Sequence, residues 1–190
     1  MLIGASMARF NIRSYQVYAM DEILIKEIRR RAHFYDTYSG CSQAVLLALQ
    51  EGLAIGNTES FSAATVLSGG VSRRGETCGA LIGAMMALGL VEGRRRMNDT
   101  PVYATACSEG DEMAKEFQRR VEKEFCLKEP LKTTLCWDIQ KGIYGRSFDL
   151  RDTEQRNNFY ACGGHGDNGC LKVCGIAAEV AAERLLPKIK

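Results

Sequence analysis

Apolar residues recur with a helical period along most of this chain. From Asp21 onward Leu24, Ile28, Ala32 and Tyr35 fall on one face, while Lys26, Glu27, Arg29 and Arg30 take the others. Tyr38-Ser39-Gly40 breaks that pattern, and Ser39 or Gly40 can cap a second helix. There Cys41, Ala44, Val45, Ala48 and Leu49 repeat at helical spacing, which puts Cys41 in the first turn on the buried face. Phe61–Leu67 reads as a short helix closed by Ser68-Gly69-Gly70, and residues 71–77 form a loop into a helix over Cys78–Leu90. Thr100-Pro101 starts a long helix with Val102, Ala106, Met113, Phe117 and Val121 inward. Thr133 or Thr134 caps a short helix that holds Cys136 and ends at Gly142. Residues 144–169 read as polar and irregular, and a last helix runs from about Cys170 to Leu186. No period-2 strand pattern intervenes. The expected fold is all-α, a bundle-like domain of about six helices over residues 21–190, preceded by an extension over 1–20 without a clean period.

Composition narrows the picture. A chain of 190 residues, 46% of them hydrophobic, can build one core without disulfides. The net charge of +2 is too small to point to nucleic acid or an acidic membrane surface as a partner. Within Met1–Met20, Arg9, Asn11 and Arg13 interrupt the apolar residues before a leader core develops, and Cys78–Val91 is too short to cross a bilayer. The chain is therefore expected in a reducing cytoplasm, with leaderless export as the alternative. Its eight cysteines then suggest metal binding or thiol chemistry rather than a disulfide framework.

Where those cysteines fall matters more than their number. Cys78 opens its helix, where free backbone N–H groups and the helix dipole favour a thiolate, and Arg73 and Arg74 lie just upstream. Gly79, Gly83 and Ala87 recur every fourth residue and leave one side of that helix nearly bare, open to another backbone or a bulky cofactor. An inert cysteine in a tightly packed helix is the plain alternative. Cys41 and Cys170 also open helices, and Cys136 lies near the start of a short one. Thiolates facing partial positive charge suit both metal ligation and redox exchange. No pair among these four has Cys-x-x-Cys spacing, so a shared site has to be assembled by the fold.

On these residues the chain resembles a redox-active protein family defined by a lone Cys, a Cys-Gly-Ala-x-x-Gly block and two later Cys. Cys41-Ser42-Gln43-Ala44-Val45-Leu46 and Gly75-Glu76-Thr77-Cys78-Gly79-Ala80-Leu81-Ile82-Gly83 correspond to the first two blocks. Cys136 with Phe148-Asp149-Leu150 is similar to the third, and Cys170-Leu171-Lys172 with Ala177-Ala178-Glu179 to the fourth. The resemblance runs from roughly Asp21 to Leu186. A related domain occurs in a dihaem cytochrome that also carries an iron–sulfur cluster. The resemblance thus implies a cluster, of the 2Fe-2S type, held by Cys41, Cys78, Cys136 and Cys170, in electron transfer or redox sensing with a redox partner protein. No Cys-x-x-Cys-His haem attachment segment is present. Cys107, Cys126, Cys162 and Cys174 are extra to the family pattern, and the stretch before Cys170 looks enlarged.

Two other functions stay open, and with them whether the chain is an enzyme. In a thiol–disulfide oxidoreductase Cys78 is the attacking low-pKa thiolate, resolved by Cys41 or Cys170. In a zinc-stabilised binding module Cys162, His165, Cys170 and Cys174 gather locally while Cys41 and Cys78 stay away. Cys107 and Cys126 read as structural, His33 as solvated, and Met85 and Met86 as core filler. Arg94-Arg95-Arg96 complements a helix C-terminus, and Trp137 either shields a redox centre or anchors its helix. No nucleotide fingerprint, phosphate loop or Ser/His/Asp arrangement is visible. A homodimer is compatible with the sequence.

Overall fold

Helices form where the apolar period predicts them, and in two places more. The computed structural model describes residues 12–190, with side chains from Tyr18 onward. Most of the predicted extension over 1–20 lies outside the described residues, but from Ile12 the chain is already helical. The α-helices are α1 (Ile12–Tyr35), α2 (Cys41–Leu53), α3 (Thr58–Ala63), α4 (Gly79–Glu92), α5 (Thr100–Glu124), α6 (Cys136–Tyr144), α7 (Thr153–Ala161) and α8 (Cys170–Ile189). Short 3-10 turns follow α1 (Asp36–Tyr38) and α3 (Thr65–Leu67). The described residues contain no strand, only an isolated antiparallel bridge between Thr77 and Leu135. Among the described residues the fold is all-α, with eight α-helices rather than about six.

Each difference has a local cause. Helix α7 lies in the stretch read as irregular; Asp152 caps it by accepting a 2.8 Å bond from the Gln155 amide, yet Phe159 is its one buried residue, so no apolar stripe advertises it. Helix α3 starts early because Asn57 and Ser60 form a capping box. Helix α6 runs past Gly142, which stands against Leu127 and Leu131, and ends instead at Gly145 with a left-handed φ of 75°.

Helix α8 is the hub, packing against α1, α2, α4 and α5, while α2 packs on α4. Its buried face is mostly small, with Ala177, Ala178, Ala181 and Ala182 among Ile176, Val180 and Leu185, so neighbouring helices approach closely. The Gly79/Gly83 face of α4 is likewise covered by α2: a Cβ at Gly83 would lie 2.4 Å from the Ser42 carbonyl oxygen. Arg29 on α1 donates to Glu124 on α5 (2.6 Å) and to Glu179 on α8, and Arg120 on α5 reaches Glu179 (3.3 Å) and Glu183 (3.0 Å). These half-buried ions tie three helices together. Arg29→Ala leaves two carboxylates without their shared partner and is expected to lower stability by about 1–2 kcal/mol, between the exposed and fully buried limits. Denaturant unfolding measures this, and an unchanged midpoint would show the network to be energetically neutral.

Between the second 3-10 turn and α4 the backbone takes an unusual path. Gly69, Gly70, Val71, Ser72 and Arg73 all have φ between 52° and 67°. Left-handed geometry costs an L-residue on the order of 1–2 kcal/mol, and for β-branched Val71 it is an outlier. Backbone bonds within the loop hold the run, including Ser72 N–H to Val66 O (2.7 Å) and Glu76 N–H to Gly70 O (3.0 Å). The loop then pairs with the approach to α6: Cys78 N–H donates to Thr134 O (3.0 Å) and Cys136 N–H to Glu76 O (2.7 Å). Trp137 lies over Gly75, where a Cβ would sit 1.6 Å from the indole nitrogen, so the indole anchors this junction.

Candidate functional site

Four helices present a cysteine at their N-terminal end. Cys41, Cys136 and Cys170 are the first residues of α2, α6 and α8, and Cys78 is the N-cap of α4. All four line one cavity of about 510 Å3. Cys174, one turn beyond Cys170 on α8, joins them, as do Asp36, His165, Arg73 and Arg156. Every cysteine of the chain is a free thiol, with Cys78, Cys136 and Cys174 buried and Cys41 and Cys170 half-buried.

The fold supplies donors to the sulfurs. The amides of Leu81 and Ala80 face Cys78, and the Gly69 amide and the Ser68 hydroxyl face Cys41. Gln140, itself buried, donates to the Cys136 sulfur (3.4 Å) while its carbonyl oxygen accepts from the Phe148 amide (2.9 Å). Tyr144 donates to Gly164 O (2.9 Å) with its oxygen 3.7 Å from the Cys170 sulfur.

These donors do not make thiolates of the free cysteines. Burial pushes Cys41 up to about 12, and Asp36 and Cys78 add to the rise. Burial and then Cys136 push Cys78 up to about 12, and burial and then Cys41 do the same to Cys136. Cys170 is raised well above the usual thiol range, first by burial and then by Cys136, Asp36, Cys41 and Cys78. The low-pKa Cys78 expected from its helix N-terminus is therefore not what the fold produces. At pH 7 a thiol near 12 is ionised to roughly one part in 10^5, a poor state for nucleophilic attack. A bound metal would reverse this, because coordination deprotonates a thiol outright.

Among the described residues, no three His, Cys, Asp or Glu side chains are placed to hold one metal ion. The zinc set does not gather apart from the other cysteines. His165, Cys170 and Cys174 share the cavity wall with Cys41 and Cys78, and exposed Cys162 turns its thiol to the Phe159 carbonyl (3.1 Å). Cys107 and Cys126, read as structural, are exposed and outside the cavity.

Sequence reasoning passed over Asp36 and Gln140. Asp36 is 1% exposed and lines the cavity, yet neither carboxylate oxygen has a hydrogen bond. The His165 imidazole stands beside it, with Nδ1 3.8 Å away. Burial raises Asp36 to about 6, with His165 opposing the shift. In sequence Asp36 looks like an ordinary turn acid between Tyr35 and Tyr38-Ser39-Gly40.

The family described as "Putative redox-active protein (C_GCAxxG_C_C)" matches residues 39–184. The chain belongs to this family. The match lies inside the span read from Asp21 to Leu186 and takes in all four helix-opening cysteines. Membership in C_GCAxxG_C_C carries a redox role in general terms. No curated protein and no solved structure matches the chain. Among the described residues of this C_GCAxxG_C_C member no helix is long and apolar enough to cross a membrane.

Proposed function

We propose that the cavity holds an iron–sulfur cluster, of the two-iron type, on Cys41, Cys78, Cys136 and Cys170, and that the protein serves electron transfer or redox sensing. The observation that carries this reading is the arrival of four helix-opening cysteines, distant in sequence, at one cavity. The donor set fits such a group. Four thiols are the protein's ligand complement for a two-iron cluster. Raised thiol pKa values describe the metal-free cavity and do not oppose ligation.

When bound, the cluster supplies reversible one-electron chemistry. The protein's own part is to position and tune. Amides of Gly69, Ala80 and Leu81 and the Gln140 side chain withdraw charge from sulfur and favour the reduced state. Burial of Cys78 and Cys136 limits solvent access at one side of the site. The gap beside half-buried Cys41 and Cys170 is the route for a redox partner protein to approach.

Anaerobically purified protein is expected to show broad visible absorption with stoichiometric iron and acid-labile sulfide. Colourless protein with bound zinc would overturn the proposal in favour of a structural metal site. Colourless, metal-free protein with a reversible disulfide would replace it with thiol–disulfide exchange.

A further inference from the structure

The cluster ligands leave part of the cavity unexplained. A core of two irons and two sulfides does not fill about 510 Å3, a volume within the range of small-molecule pockets. Besides the cysteines the wall carries Asp36, His165, Arg73 and Arg156, with apolar surface from Val66, Leu150 and Phe159.

Asp36 is the least satisfied group there. A buried carboxylate without a hydrogen bond is costly, and native structures rarely keep one without a reason. Its side chain is almost wholly shielded, both oxygens lack donors, and the His165 ring stands beyond hydrogen-bond distance. His165 is itself placed by Ser39, 3.5 Å from Nε2, and by the edge of the Tyr160 ring. The Cys174 thiol faces the carboxylate without completing a hydrogen bond, so no strong donor among the described residues closes this gap.

Opposite charge lines the same cavity. Arg156 spends its guanidinium on the Leu150 carbonyl (2.9 Å) and the Thr153 hydroxyl (3.4 Å) and has no carboxylate partner among the described residues. Arg73 is exposed, carried on the left-handed run, and likewise pairs with no described carboxylate. One buried acceptor and two available cations on the wall of one cavity match a molecule that is positive at one group and negative at another.

We propose that this cavity binds a small zwitterionic molecule of the amino-acid or short-peptide class, with its ammonium on Asp36 and its carboxylate on Arg73 and Arg156. The ammonium supplies the donors that Asp36 lacks, and a carboxylate accepts from either guanidinium in forked geometry. The inference stands on the orphaned carboxylate and does not need the cluster.

Titration calorimetry of the purified full chain with L-methionine and with S-methylglutathione tests it. Both probes are zwitterions with a thioether, so neither exchanges with the cysteines. At least one should bind at one per chain. Asp36→Asn, close to isosteric, should weaken binding on the order of tenfold, as expected for a lost charge-assisted bond. The exposed-side pair Arg73→Gln with Arg156→Gln should weaken it similarly, and glutarate, an anion without an ammonium, should bind much less well than either probe. Absence of heat with both zwitterions, equal affinity in wild type and variants, or glutarate binding as well as the probes would each overturn the proposal. Visible spectra recorded on the same samples separate the two readings. Coloured protein that binds no probe sinks the ligand alone, and colourless protein that binds one sinks the cluster alone.

Discussion

Replacing Cys78 with serine is expected, on the proposed cluster reading, to abolish visible absorption and most iron binding, a loss on the order of tenfold or more in metal affinity. Cys78 is buried at the N-cap of α4, with its sulfur facing the amides of Ala80 and Leu81. Serine matches its size and is among the best N-cap residues, so α4 keeps its start while the soft ligand disappears. Circular dichroism of Cys78→Ser should therefore match wild type while iron and sulfide analysis does not. Cys107→Ser and Cys126→Ser, at exposed thiols outside the cavity, should retain full colour. If Cys78→Ser keeps wild-type iron and spectrum, Cys78 is not a ligand and the proposed set is wrong. Equal losses in all three variants would point instead to general oxidation sensitivity.

One substitution made at two glycines of the same helix should change stability in opposite directions. At Gly79 an added Cβ would lie 2.4 Å from the Cys41 sulfur and 3.0 Å from the Leu67 carbonyl oxygen, and backbone cannot retreat as a flexible side chain would. Gly79→Ala is expected to destabilise by about 1–3 kcal/mol, the usual range for overpacking, and to push Cys41 off its position. At Gly89, also within α4, an added Cβ meets nothing within 4 Å. There Gly89→Ala should stabilise by about 0.5–1 kcal/mol, because alanine lowers the backbone entropy lost on helix formation. Urea unfolding of both variants, with iron content read alongside, checks the pair. An unchanged or raised stability at Gly79 would mean that α4 is not packed on α2 as described, and destabilisation at Gly89 would mean that its flank is not open.

The parts of the site visible in the sequence are those with local causes. Apolar spacing after Tyr38-Ser39-Gly40 put Cys41 in a first turn, and the bare Gly79/Gly83 side announced a close neighbour, which proves to be α2. Capping signals did less well where no apolar stripe followed them, as at Asp152 before α7. Gly142 misled because glycine ends helices and also permits close approach, and only the positions of Leu127 and Leu131 decide which. The state of the Cys78 thiol was illegible for a related reason. Its helix terminus is local and favours the anion, whereas the burial that wins comes from the whole fold. Asp36 is the extreme case, an acid in a turn whose shielding depends on His165, Cys174 and the loop before α4 closing over it. Gly69-Gly70 marks a turn in the sequence, but nothing there foretells that Val71, Ser72 and Arg73 continue in the same hand.

The four helix-opening cysteines come from α2, α4, α6 and α8, every second helix of the chain. A group bound to all of them would act as a clamp between segments far apart along the chain. By restricting the unfolded chain it adds loop-closure stabilisation, which grows slowly with the length enclosed. Such a clamp also has a timetable during synthesis. Cys41 and Cys78 would be made well before Cys170, 92 residues beyond Cys78, and would have to stay reduced and unpaired until it emerged. Loading of the proposed cluster would then wait for α8, and the colour it confers would report that α2, α4, α6 and α8 have come together.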